Sequence, residues 1–137
     1  MESVLTSTAL VPSHGSLARL WTGRVLTGLI ATFLLVDAVG KLIPIAPAVE
    51  GTLKLGYTAS DIRPIGVLLA ICTLLHVHPR TQFLGAVLVT AYLGAGTAAL
   101  VRVGTPFWFP VLMGALLWVA YALRSPALRA FLRSQSR

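Results

Sequence analysis

Four long stretches of this chain hold almost no charge, and that limits its fold more than any other feature. A helix that crosses a bilayer needs about 20 predominantly apolar residues, within a range of roughly 17 to 25. Residues 22–43, 62–77, 81–101 and 107–123 read as four such helices, 62–77 being the shortest. Charged residues make up 11% of the 137 residues, against about 25% in soluble domains. That supply is too small to cover a globular surface, and a surface facing lipid removes the requirement. The expected fold is all-α: a transmembrane four-helix bundle with a short interfacial helix in the first outer loop.

Proline and glycine punctuate the pattern. Pro44 and Pro47 follow the first span, and Pro79 stops the second. Ser60 or Asp61 is placed to cap the second span, with Pro64 in its first turn, where the N–H is free anyway. Only His78, Pro79 and Arg80 separate the second span from the third, so the two must form an antiparallel hairpin. Gly104 and Pro106 break the chain before the fourth span, and Pro110 falls in its first turn. Within the loop 44–61, residues 47–55 read as a short helix with Pro47 in its first turn and Gly56 at its C-terminal cap. Glu50 and Lys54 are spaced for an i,i+4 pair on it, and the piece is expected to lie flat against the outer rim. Gly85, Gly94, Ala95 and Ala98 suit close backbone approach, which makes the third span the expected centre of the bundle. Trp108 and Phe109, with Trp118 and Tyr121 toward the other end, fit interfacial anchors on the fourth span.

Residues 1–21 read as a mobile N-terminal tail rather than a signal peptide. Glu2 is the only charge before Arg19, and Pro12 and Gly15 interrupt the apolar stretch. Residues 125–137 read as a basic tail suited to the membrane surface. The net charge of +7 is concentrated outside the spans. The side holding both tails and the Pro79–Arg80 turn carries Arg19, Arg24, Arg80, Arg124, Arg129, Arg133 and Arg137. The other side carries Lys41, Lys54, Arg63 and Arg102, together with Glu50 and Asp61. The positive-inside rule then puts both termini in the cytoplasm. Cations that flank apolar spans speak for a lipid partner and against nucleic acid. Nine arginines against two lysines, with a bias to Ala, Leu, Gly and Val, fit a GC-rich bacterial genome.

The sharpest candidate site lies near the C-terminal end of the first span. Asp37 and Lys41 are four apart and share a helix face. Asp37 sits about 10 Å below the helix end at roughly 1.5 Å per residue, and a carboxylate at that depth needs a partner or a purpose. Lys41 is expected to snorkel to the rim. The pair reads either as an internal ion pair that orients the helix or as part of a binding or proton-transfer site. Arg63 and Arg102 begin the second span and end the third on the same side, so they are expected either to sit among headgroups or to close a polar cluster over Asp37. Tyr92, mid-span in a glycine-rich run, either packs or offers its hydroxyl to that cluster. His76 and His78 read as interfacial polar residues, since their spacing of two separates them and no carboxylate lies close in sequence. Cys72 is the single cysteine, which rules out an internal disulfide and a CxxC pair and leaves core packing. No P-loop, GxGxxG, GxSxG or HExxH occurs.

Several of these pieces look alike to a known group. Pro79-Arg80-Thr81-Gln82-Phe83-Leu84-Gly85-Ala86 followed by Thr90-Ala91-Tyr92-Leu93-Gly94 resembles the DoxX-like family of small bacterial membrane proteins. Gly23-Arg24, Asp37 through Leu42, Leu55-Gly56-Tyr57, Pro64-Ile65-Gly66 and Trp118 through Arg124 add to it, so the resemblance covers residues 23–133. It implies a four-helix membrane bundle and little chemistry. The family name derives from a subunit of a thiosulfate:quinone oxidoreductase, and quinone enters from that name alone. The reading is a non-enzymatic accessory or subunit protein of the bacterial inner membrane, with no cofactor, packed against another membrane protein or against copies of itself. The alternatives are a quinone-binding component of an oxidoreductase and a small carrier acting as an oligomer.

Overall fold

The computed structural model describes residues 14–136, and among these all regular structure is helical. Six helices follow in order: α1 His14–Leu42, α2 Ala46–Lys54, α3 Ala59–Val77, α4 Gln82–Arg102, α5 Trp108–Arg124 and α6 Pro126–Gln135. The tail expected over 1–21 lies outside the described residues up to position 13. From His14 onward it is already helix, because Leu17, Ala18, Leu20 and Trp21 contain no breaker and continue the ladder of α1.

The helix ends follow from local chemistry. Pro44 has no N–H to extend α1, and the chain closes with the Ile45 N–H donating to the Gly40 carbonyl at 2.8 Å. α3 is capped by Thr58 rather than by Ser60 or Asp61. The Asp61 carboxylate instead reaches back as the N3 residue, accepting from the Thr58 N–H at 2.8 Å and from its hydroxyl at 2.6 Å. Between α3 and α4 the Thr81 hydroxyl donates to the Leu75 carbonyl at 2.9 Å, which holds the hairpin turn shut.

The four long helices close a ring: α1 packs on α3, α3 on α4, α4 on α5 and α5 on α1. α2 lies against α1 and α3, and α6 touches α5. No helix occupies the centre. The middle is filled by side chains, among them Leu34 and Ala38 of α1, Leu69 and Cys72 of α3, Val89 of α4 and Leu117 of α5. Two glycines set the helix distances. A Cβ at Gly85 of α4 would stand 2.1 Å from the His76 backbone nitrogen, so α3 and α4 touch backbone to backbone there. A Cβ at Gly66 of α3 would stand 2.9 Å from the Lys41 Cβ and 3.0 Å from the Ala38 carbonyl oxygen. The other small residues expected to make such contacts on α4 do not. Gly94, Ala95 and Ala98 are exposed, and a Cβ at Gly94 would meet nothing within 4 Å. The rotation of α4 that seats Gly85 on α3 turns this face outward.

Outside the ring the surface is apolar. Leu29, Phe33 and Val36 of α1, Leu68, Ile71 and Leu74 of α3, and Leu84 and Val87 of α4 are all exposed. An apolar surface of that extent belongs in lipid. α1, α3 and α4 are each long and apolar enough to cross a membrane, and α5 brings the number to four if it counts together with α6, from which it is bent by 104°.

A polar cavity beneath the second helix

The candidate site exists because α5 is short. Its Phe109 ring packs edge-on against Phe33 of α1 at 5.3 Å, and Gly23 of α1 lies against Leu123 and Arg124 at the other end. α5 therefore flanks α1 only up to about one turn before Asp37. Beyond that level the ring lacks its fourth helix, and α2 folds over the gap. What remains is a cavity of about 550 Å³, walled by α1, α2, α3, α4 and the loops beside Tyr57 and Thr105, with no residue from α5.

Its walls are mostly apolar, with Ile65, Leu68 and Leu100 among them. Asp37, Lys41, Lys54, Tyr57 and Tyr92 supply polar groups, together with Thr52 and Thr105. Ala95 and Gly96 of α4 also line it, so part of the glycine-rich run makes room for the cavity instead of packing helices. The Lys41 ammonium donates to Asp37 Oδ2 in an i,i+4 ion pair. The exposure is the reverse of that expected. Lys41 does not snorkel: its side chain is 9% exposed, whereas that of Asp37 is 35% exposed. Gly66 explains this, since α3 runs so close over the Lys41 stem that the chain must turn back along α1. A buried ammonium without a partner would be costly, and Asp37 offsets that cost. The Tyr92 and Tyr57 hydroxyls line the same space without a hydrogen-bond partner among the described residues, and Asp37 and Tyr57 lie within electrostatic range of Tyr92.

The two arginines stand elsewhere. Arg102 is exposed and its Nη2 donates to the Leu55 carbonyl at 2.7 Å, tying the end of α4 to the C-cap of α2. Gly56 makes room for it: its φ is +85°, and a Cβ there would stand 2.7 Å from that Nη2. Arg63 is exposed and lines a separate depression with Pro44, Val49 and Ile62. Neither closes over Asp37. Lys54 lines the cavity, and among the described residues its pairing with Glu50 is not made, the Asp37–Lys41 bridge being the ion pair present.

A model of the DoxX-like family matches residues 25–122. The chain belongs to the DoxX-like family. Searches of curated proteins and of solved structures gave no match. With its apolar helices, this DoxX-like protein is a multi-pass transmembrane protein. The family match spans every residue that lines the cavity and stops before α6.

At the opposite end of the DoxX-like domain is a second polar cluster that the sequence hides. His76 is not interfacial but fully buried, at 1% exposure. Its Nδ1 donates to the Gln82 carbonyl at 3.2 Å, while its Nε2 is buried without a partner. The Gln82 Oε1 accepts from Arg124 Nη2 at 3.1 Å, which joins α4 to α5. His78, two residues on, is exposed and accepts from the Arg80 N–H. The backbone contact at Gly85 is what draws His76 inside, and the one clue in the sequence is a glycine nine residues along the hairpin.

Proposed function

We propose that this DoxX-like protein is a non-enzymatic, four-helix component of the bacterial inner membrane that holds a small lipophilic ligand of the quinone class beneath α2. The observation that carries the reading is the cavity of about 550 Å³, where apolar walls meet a paired ammonium and two phenols. Ligand sites of roughly 300–1,000 Å³ are built this way, with a few polar groups in an apolar lining. An ammonium has three donors and Asp37 takes one. The remaining donors of Lys41 and the Tyr92 hydroxyl suit a carbonyl oxygen, while Ile65, Leu68 and Leu100 suit a ring and tail. In this reading α5 is the fourth span, since 17 residues reach about 25 Å, and α2 lies at the outer interface.

The test is a titration of purified protein with a short-chain ubiquinone and with menadione. Saturable binding is expected in the wild type, weakened at least tenfold by Lys41→Gln and severalfold by Tyr92→Phe, which leaves the fold intact. Wild-type protein that binds neither, or both variants binding as the wild type does, would reject the reading.

A second reading, as a subunit that packs against another membrane protein or a copy of itself, has its own support. A groove between α4 and α5 is lined by Thr90, Gly94, Thr97, Gly114 and Ala115. Small residues of this kind let a further helix approach closely in lipid. The two readings are compatible, because groove and cavity share no residue.

A further inference from the structure

The last helix, α6, lies outside the family match and outside the ring. No residue of it is buried, and it touches only α5. We infer that α6 is a surface anchor that docks this protein on an anionic phospholipid leaflet.

Its composition is that of an interfacial helix. Leu128, Phe131 and Leu132 fall within one arc of the helix, and Arg129, Arg133, Ala130 and Ser134 occupy the rest. Phe131 and Leu132 are more than half exposed. Such a helix, with a narrow apolar arc and a basic polar face, lies in the plane of the interface rather than across it.

The geometry points the same way. α6 leaves α5 at 104°, so with α5 spanning the bilayer α6 runs nearly parallel to the membrane plane. The elbow is built to hold that angle. Pro126 stands at the start of α6, and the Ser125 hydroxyl caps it by accepting from the Leu128 N–H at 3.3 Å. Arg129 Nε donates back to the Ser125 carbonyl at 3.4 Å. Leu128 on the apolar arc and Arg129 beside it are half-buried against α5, while Phe131 and Leu132, the outer part of the arc, are left uncovered by protein.

Charge selects the lipid. Arg19, Arg24, Arg80, Arg124, Arg129 and Arg133 all lie at this end of the protein, and among the described residues no carboxylate does. A basic residue near an anionic leaflet contributes about 1 kcal/mol, or roughly fivefold in the docking equilibrium.

The test uses the full-length protein in vesicles, with Cys72→Ala as background and an environment-sensitive fluorophore on Leu132→Cys or Ala130→Cys. In phosphatidylcholine vesicles containing phosphatidylglycerol, the label at 132 is expected to be severalfold less quenched by iodide than the label at 130. It should also be quenched by a spin label in the acyl chains. Introducing Arg133→Gln should shrink that difference by up to the fivefold figure, and removing phosphatidylglycerol, which acts on every arginine at this end, should shrink it further. Arg133 takes no part in the elbow bonds, so its loss reports on lipid rather than on folding. Equal quenching at both positions would overturn the inference. So would indifference to phosphatidylglycerol. Shielding from iodide without acyl-chain quenching would mean that protein, not lipid, covers α6, and would equally reject it.

Discussion

Lys41 carries its charge into the protein while Asp37 keeps about a third of its side-chain surface open to the cavity. The two are therefore unequal partners. Asp37→Asn leaves a buried ammonium with a neutral acceptor. Breaking a fully buried pair costs about 3–5 kcal/mol, and the partial exposure of Asp37 brings the expectation down to about 1–3 kcal/mol. Lys41→Gln in the same background should add less than its own cost, with a coupling of about 0.5–3 kcal/mol in a double-mutant cycle of detergent stability. Full additivity would mean that the bridge contributes nothing to the fold. The glycines of α4 give a sharper contrast. Gly85→Ala places a Cβ against the His76 backbone, which cannot yield as a flexible side chain could, so the α3–α4 hairpin should fail to close and folded yield should collapse. Gly94→Leu meets open space and should keep wild-type thermal stability, although it projects into the groove that a partner helix would need. Equal damage from both, by size-exclusion profile and melting, would contradict the rotation of α4 described above. Sequence spacing alone brings Asp37 and Lys41 together, because i,i+4 neighbours meet on any helix. It does not reveal which of Gly85 and Gly94 is a contact, nor that His76 is buried, because both depend on how α4 is turned against α3.

The elements divide along the same line. The long helices were legible because apolar length and proline breaks are local properties, and Pro44, Pro79 and Pro106 fall in the connections of the structure. What was not legible is the length of α5 relative to α1, which opens the cavity, and the role of Arg102, whose partner Leu55 is 47 residues away. α2 is pinned at both ends. Ile45 bonds to Gly40 at its start, Thr52 is buried with its hydroxyl on the Ala48 carbonyl, and Arg102 holds Leu55 at its end. Arg102→Gln removes the last of these without touching the ring. Hydrogen exchange at the amides of residues 52–56 should accelerate severalfold, while the midpoint of thermal unfolding moves little, because an exposed clasp adds only about 1 kcal/mol or less. Arg102→Lys should restore part of the protection through a single donor. Unchanged exchange in Arg102→Gln would mean that α2 is held by its packing on α1 and α3 alone.

At the scale of the whole molecule the two ends differ in charge, and the difference predicts how the protein sits. One end gathers the described arginines of α1, the α3–α4 turn, α5 and α6 with no carboxylate among them. At the other, Lys41, Lys54, Arg63 and Arg102 are set against Asp37, Glu50 and Asp61, and the Asp37–Lys41 bridge cancels one charge of each sign. The first end should therefore stay in the cytoplasm. The number of crossings decides the rest. If α5 spans, four crossings return the C-terminus to the side of the N-terminus; if it does not, three crossings put the termini on opposite sides. α5 packs along α1 from Gly23 at one end to Phe33 at the other, antiparallel and at the same level, so lipid that surrounds this part of α1 must surround α5 as well. A soluble position for α5 would leave Val111, Leu112 and Val119 exposed to water. We expect a C-terminal alkaline phosphatase fusion to be inactive and a C-terminal fluorescent-protein fusion to be bright. Alkaline phosphatase inserted after Gly104, at the opposite end, should be active. High phosphatase activity at the C-terminus with an inactive N-terminal reporter would establish three crossings. High activity at both termini would keep four crossings and invert the charge argument.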